Sequence, residues 1–284
     1  MIGLRSLFAS AWMGVQHDLA WTTPALSLLL RAVAPFASAM TTCIIYWFGT
    51  RFSPSVAFDP TRLAFVLVGS TLYAHVATYA WVPTIAIAEG KNLSVFPHIY
   101  LTSRSTAVYL AGRTLSAFAI SVTTSMLALG LAYYVLGSFL GTAIPLVITP
   151  TSVLMLAAAL LFNIPGALAL GYFLGAYSLY ASKFEWSLPG YVAGLLMVFS
   201  GALFSPSILP WPLSAGAWAL PYTQFISAAR DAIAPSAVNL VSDYPVALLG
   251  CLVGGSLLLF ASLLVYFAAE RKARRDGVID RRLA

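Results

Sequence analysis

The chain has 284 residues, 60% of them apolar and 8% charged, with a mean hydropathy of +0.88. A soluble domain carries about a quarter charged residues, so an ordinary water-soluble fold is excluded. The recurring runs of about 20 mostly apolar residues are of bilayer-crossing length. The net charge of +6 comes without a basic patch interleaved with aromatics on a polar segment, which argues against nucleic acid. Cys43 and Cys251 both lie in apolar stretches, so no disulfide framework is implied.

In chain order the pattern predicts an all-α polytopic membrane protein that forms a single transmembrane domain over 1–284. Residues 4–21 form an interface helix: Leu4, Leu7, Phe8, Ala11, Trp12 and Val15 recur at helical spacing, while Arg5, Ser6, Gln16 and Asp18 fall elsewhere. Six spans follow, at 25–48, 63–88, 106–136, 153–180, 188–204 and 245–268. Arg31 lies one to two turns inside the first and can snorkel to the interface. The fourth contains Asn163-Ile164-Pro165-Gly166, where the proline removes a backbone donor and should bend the helix. The fifth is short for a full crossing.

Six crossings put both termini on one side. Grouping them with the 89–105 and 181–187 loops, the 269–284 tail, and Arg31 and Arg113 near the same-side ends of their spans gathers twelve of the fifteen Lys and Arg residues, leaving Arg51, Arg62 and Arg230 opposite. By the positive-inside rule both ends are cytoplasmic, and the basic tail serves as an anchor at an anionic leaflet. The expected location is a prokaryotic cytoplasmic (inner) membrane.

Missing motifs narrow the chemistry. There is no G-x-x-x-x-G-K-[ST] phosphate loop, no H-E-x-x-H and no His/Cys cluster of metal-ligand spacing. No catalytic residue or metal site is therefore assigned, and the chain is not expected to be an enzyme. Of the three histidines only His75 falls within a span, where a lone histidine reads as a packed polar residue. No Asp or Glu lies near the middle of a span, which weighs against an ion-coupled carrier.

Two segments break the hydropathy pattern. Residues 89–105, from Glu89-Gly90 through Leu93 and Phe96 to Arg104, place Leu93, Phe96, Ile99 and Tyr100 at helical spacing beside Lys91 and His98. Such a stripe packs against a partner protein or rests on lipid, and hydropathy leaves both open. In the second segment, 205–243, the prolines Pro206, Pro210, Pro212 and Pro221 forbid a continuous helix in an apolar stretch. Irregular backbone at membrane depth needs protein or a cavity to satisfy it. The chain is therefore expected to turn back as re-entrant half-helices that would cap a pathway from the outer side.

This layout resembles the membrane (permease) subunit of type-two ABC exporters. The run Ser200-Gly201, Phe204, Pro206, Leu209-Pro210, Pro221-Tyr222 and Arg230 is similar to that family's signature. Glu89-Gly90 and Gly112-Arg113 match the ends of its cytoplasmic loop, whereas Asn92-Leu93-Ser94 lacks the usual acid and Pro97 comes early. The resemblance implies coupling to a separate cytoplasmic ABC ATPase through Glu89, Gly90, Leu93, Phe96, Arg104 and Arg113. It also implies an outer gate at Pro206, Leu209, Pro210, Pro221 and Tyr222. A second permease copy or paralogue would complete the pathway. ATP and Mg would be bound by the partner, with no cofactor on this chain. Gly171/Gly175, Gly190/Gly194 and Gly250/Gly254 each form G-x-x-x-G. The family's dimerisation through its first and fifth spans points to Gly190 and Gly194 as a protomer contact, with packing inside the subunit equally open. The alternatives are half of an ion-coupled secondary transporter, or a non-transporting membrane scaffold subunit.

Overall fold

The computed structural model describes residues 2–20, 22–53, 57–92, 99, 106–180, 187–237 and 243–277. Among the described residues every regular element is helical. They are α1 (Ile2–Leu19), α2 (Pro24–Phe52), α3 (Pro60–Asn92), α4 (Ala107–Leu140), α5 (Pro150–Phe162), α6 (Ile164–Tyr180) and α7 (Ser187–Phe199). A 3-10 turn (Pro206–Ile208), α8 (Leu213–Ala219), α9 (Pro221–Ile233) and α10 (Tyr244–Arg275) complete the chain. Five stretches are long and apolar enough to cross a membrane: α2, α3, α4, α5 with α6, and α10. The chain is thus a multi-pass membrane protein by length and composition.

Helix starts follow local chemistry. Pro24, Pro150 and Pro221 each open a helix, where the missing N–H costs nothing. Thr149 and Ser152 form a reciprocal capping box on α5, with the Ser152 N–H donating to Thr149 Oγ1 at 3.1 Å. Ahead of α3, Asp59 accepts from the Thr61 hydroxyl at 2.7 Å and the Thr61 N–H at 2.8 Å. The Thr61 hydroxyl bond is the main influence holding the Asp59 carboxyl below its usual range.

Several boundaries differ from the sequence expectation. α2 and α4 run four residues further, to Phe52 and Leu140. α10 continues seven residues past the expected end and carries Glu270, Lys272 and Arg274 in its last turns. α3 runs to Asn92, so Glu89 and Gly90 belong to its final turn and not to a loop. The fourth span is interrupted at Asn163, two residues ahead of Pro165, whose ring cannot sit against the preceding turn. α7 stops at Phe199 and not at residue 204, because Gly201 turns the chain at φ +70°, a conformation that glycine adopts without penalty. At 13 residues α7 is about 20 Å long, well short of the ~30 Å hydrocarbon core.

α3 is the central helix and packs on α2, α4, α6, α7 and α9. α10 lies along α6, and α1 lies along α4. The sequence reading kept charge away from the middle of the spans and assigned no buried partners to the charges at their ends. The structure instead buries Arg230, Lys91, Arg113 and Glu270, each met by polar atoms from distant segments.

Gly69 marks the tightest approach. A β-carbon there would run into the Ala202 carbonyl and the Arg230 guanidinium. The carbonyl is backbone and cannot rotate away, so Gly69→Ala is expected to cost ~1–3 kcal/mol through overpacking. Thermal unfolding in detergent checks this, with a lowered Tm expected, while Gly130→Ala, at a site with open space around it, should leave the Tm near wild type.

Candidate functional site

At the end of the bundle that holds α1 and the last turns of α10, a chain of small residues seats α1. Ser10 and Ala11 lie over Gly112, and Gly14 lies over Ser116 and Arg113. The apolar stripe predicted for α1 is thereby split: Leu7 and Ala11 turn toward α4, while Leu4, Phe8 and Trp12 stay exposed, as suits a helix resting in lipid headgroups. Arg113 is buried, donates Nη1 to the Gly14 carbonyl at 3.2 Å, and brings Nη2 to 3.9 Å from Asp18 Oδ1. Arg31 reaches the same carboxylate at 3.5 Å and donates to the Asp18 carbonyl oxygen at 2.7 Å. One acid held between two guanidinium groups fastens α1, α2 and α4 together. Arg113, expected at a loop contact, instead sits inside the second turn of α4 and acts through α1.

Beside this clamp lies a cavity of about 170 Å³ lined by Met13 and His17 of α1, Glu89 and Gly90 of α3, and Tyr109 and Arg113 of α4. Ile99, the one described residue between Asn92 and Thr106, also lines it. Glu89 and His17 approach to 3.5 Å on its open rim, a pair worth about 0–1 kcal/mol at such exposure. Leu93, Phe96 and Arg104 lie outside the described residues.

Both flanks of that loop are fastened to distant helices. Lys91 Nζ donates to the Ser178 and Leu179 carbonyls at 2.7 and 2.8 Å, placing a cation at the C-terminal end of α6. Glu270 Oε1 accepts from the Thr106 N–H at 3.0 Å and its hydroxyl at 2.9 Å, which caps α4 from α10. Lys91 and Thr106 are thus bonded to α6 and α10 respectively, beyond their own helices.

The opposite end holds the short helices α8 and α9 between α7 and α10. α9 is almost wholly buried, and Arg230 shows no exposed surface. Its Nη1 donates to the Gly201 carbonyl at 2.9 Å and its Nη2 to that of Ala202 at 2.6 Å. Nε and Nη2 both reach the Phe65 carbonyl, at 3.2 and 3.1 Å. The guanidinium carbon lies 3.4 Å from the Phe65 ring centroid. Among the expected gate residues, Pro206, Pro221 and Tyr222 are buried, Leu209 is half-buried and Pro210 is exposed. Tyr222 donates to the Gly166 carbonyl at 2.8 Å, which ties α9 to the first turn of α6. At the far end of α9, burial first and Asp243 second raise the Asp231 carboxyl to about 6, against the lowering effect of Arg230.

A buried polar chain lies between the two ends. His75 Nδ1 is 2.7 Å from Ser121 Oγ, its Nε2 meets the Tyr79 hydroxyl, and Asn163 Nδ2 reaches that hydroxyl at 3.5 Å. It joins α3, α4 and the α5–α6 break. The glycine pairs divide by use. Gly171 and Gly175 seat α6 on Thr114 and Leu110 of α4, and Gly250 and Gly254 seat α10 on Gln224 and Pro221. In the fifth-span pair, Gly190 lies near Trp81, and Gly194 has open space around it.

Among the described residues no group of three or more His, Cys, Asp or Glu side chains could hold a metal ion. The described residues thus present a cavity and clamp at one end, a buried cation at the other, and a polar seam between. Sequence reasoning missed the anchoring roles of Arg230, Lys91 and Glu270. The available signal was a lone charge at the edge of an apolar run, which needs partners when buried.

Arg113→Met is expected to loosen α1 and speed backbone hydrogen exchange there roughly tenfold, as for loss of one charged hydrogen bond; unchanged exchange would remove the clamp's role. For Asp231 the native value, about 6, lies above the unfolded 3.8. Its stabilising contribution is complete below about pH 4 and is lost as pH rises through about 6. The Tm of Asp231→Asn relative to wild type should therefore rise across that window and level off above it. No protein-family model matches the chain, and no curated protein matches it.

Proposed function

We propose that the chain is the membrane subunit of an ATP-driven exporter of the type-two ABC class, forming half of a translocation pathway in a prokaryotic cytoplasmic membrane. A cytoplasmic ABC ATPase supplies the energy, and ATP and Mg belong to that partner. The observation that carries this reading is the fastening of both flanks of residues 93–105. Lys91 on one side and Thr106 on the other are bound to α6 and α10, so a push on this loop moves several helices at once. The neighbouring cavity, with its exposed His17–Glu89 rim, gives a docked subunit a second point of purchase.

Closure of two ATPase subunits would bias the permease pair between two packings, which is a rigid-body switch. The α8–α9 segment held by Arg230 and Tyr222 forms the outer closure in this scheme. Gly194, with no atom around it, is available to a second copy. The missing intramembrane carboxylates weigh against ion-gradient coupling.

The test is reconstitution in vesicles with a partner ATPase. Permease-stimulated ATP hydrolysis is expected to fall about tenfold in Glu89→Ala and Phe96→Ala variants that still insert and fold. Transport by the chain alone in ATP-free liposomes, driven by an ion gradient, would defeat the reading.

A further inference from the structure

A second, larger cleft runs from the Asp18 clamp along α3, away from Glu89. Its volume is about 460 Å³, and it is half open and walled by α2, α3 and α4. That size falls within the ~300–1,000 Å³ of small-molecule sites. Along α3 it extends from Tyr73 to Val82, about 13 Å of helix. Ala34, Ala77 and Ala117 leave the space by being small, while Leu30, Trp81 and Ile120 wall it.

The hydroxyl groups on these walls do not make it an aqueous path. Thr78 donates to the Ala74 carbonyl at 3.0 Å, Ser121 to that of Phe118 at 3.0 Å, and Thr124 to that of Ser121 at 3.2 Å. Hydroxyls spent on their own helix present methyl and methylene surface to the cleft. Such a wall suits an acyl chain.

One end differs. Asp18 and Arg31 both line the cleft there. The Asp18 carboxylate is 10% exposed and shared with Arg113, itself 6% exposed, whereas the Arg31 side chain is 40% exposed. Two guanidinium groups and one carboxylate leave one net positive charge, carried on its open side by Arg31. Only Nη2 of Arg31 contacts Asp18, and no described residue accepts from its Nε or Nη1.

We propose that this cleft is a binding site for an anionic lipid, with an acyl chain along α3 and the phosphate on Arg31. The occupant is a resident lipid that fills a gap between three helices and completes the charge balance of the Asp18 clamp. This site does not depend on the exporter reading, and a chain with another function would bind the same lipid.

The experiment uses the full chain purified in detergent and supplied with phosphatidylglycerol or phosphatidylcholine, with retained lipid counted by native mass spectrometry. The basic tail attracts anionic lipid in every variant, so the readout is the difference from wild type. Wild type is expected to keep one phosphatidylglycerol in preference to phosphatidylcholine by about fivefold, the factor for one basic residue at an anionic lipid. Arg31→Gln should lose that preference and Arg31→Lys should retain it. Ala77→Trp keeps every charge but fills the cleft, and should lose the bound lipid even if Arg31→Gln fails to fold. Inorganic phosphate alone should not raise the Tm as the lipid does. Equal retention of the two lipids by wild type, unchanged retention in Ala77→Trp, or an equal rise with phosphate would each overturn the proposal.

Discussion

Burying the Arg230 guanidinium with no exposed surface commits the surrounding backbone to meet it, because an ion of that size loses several kcal/mol of hydration. The carbonyls that answer come from residues 65, 201 and 202, so the charge can be satisfied only when α3, the end of α7 and α9 have all assembled. The Phe65 carbonyl already serves the helix bond to residue 69, and a second donor reaches it because residue 69 has no side chain. Thus one cation accounts for the glycine at position 69 and for the close approach of α9 to α3.

The other end of the bundle solves a related problem with a carboxylate. Asp18 gathers Arg31 and Arg113, and this joins α1 to α2 and α4 with small residues lining the seam. Lys91 and Glu270 repeat the logic at helix termini, where unpaired carbonyl and amide groups await opposite charges. The His75–Tyr79–Asn163 chain occupies the interior between these ends and crosses at the break in the fourth span. Helix order at both ends is therefore fixed by electrostatics, and the apolar core fills in around it.

The membrane class, the long apolar helices and the broken helices after α7 were legible because they depend on local composition and on proline, whose effects reach only one turn. Span ends were less legible. Gly201 ended α7 five residues early through a backbone conformation that hydropathy cannot register, and Glu270 and Arg274 lie on a helix expected to have stopped at 268. The partners of Arg230 and Lys91 were invisible because they are carbonyls, which every residue carries and no motif marks. Arg113 was singled out through a resemblance, yet the structure gives it an inward role that its spacing did not indicate. Leu93, Phe96 and Arg104 keep their standing from sequence alone.

The shortness of α7 bears on the surrounding bilayer. Its outward face, with Tyr191, Leu195 and Val198, offers lipid a hydrophobic belt about 10 Å thinner than the membrane prefers. Acyl chains beside it must compress or tilt, at a fraction of a kcal/mol per Å of mismatch. That elastic penalty disappears when protein replaces lipid along the same face. The early turn at Gly201 thus places a local elastic penalty in the bilayer beside this helix.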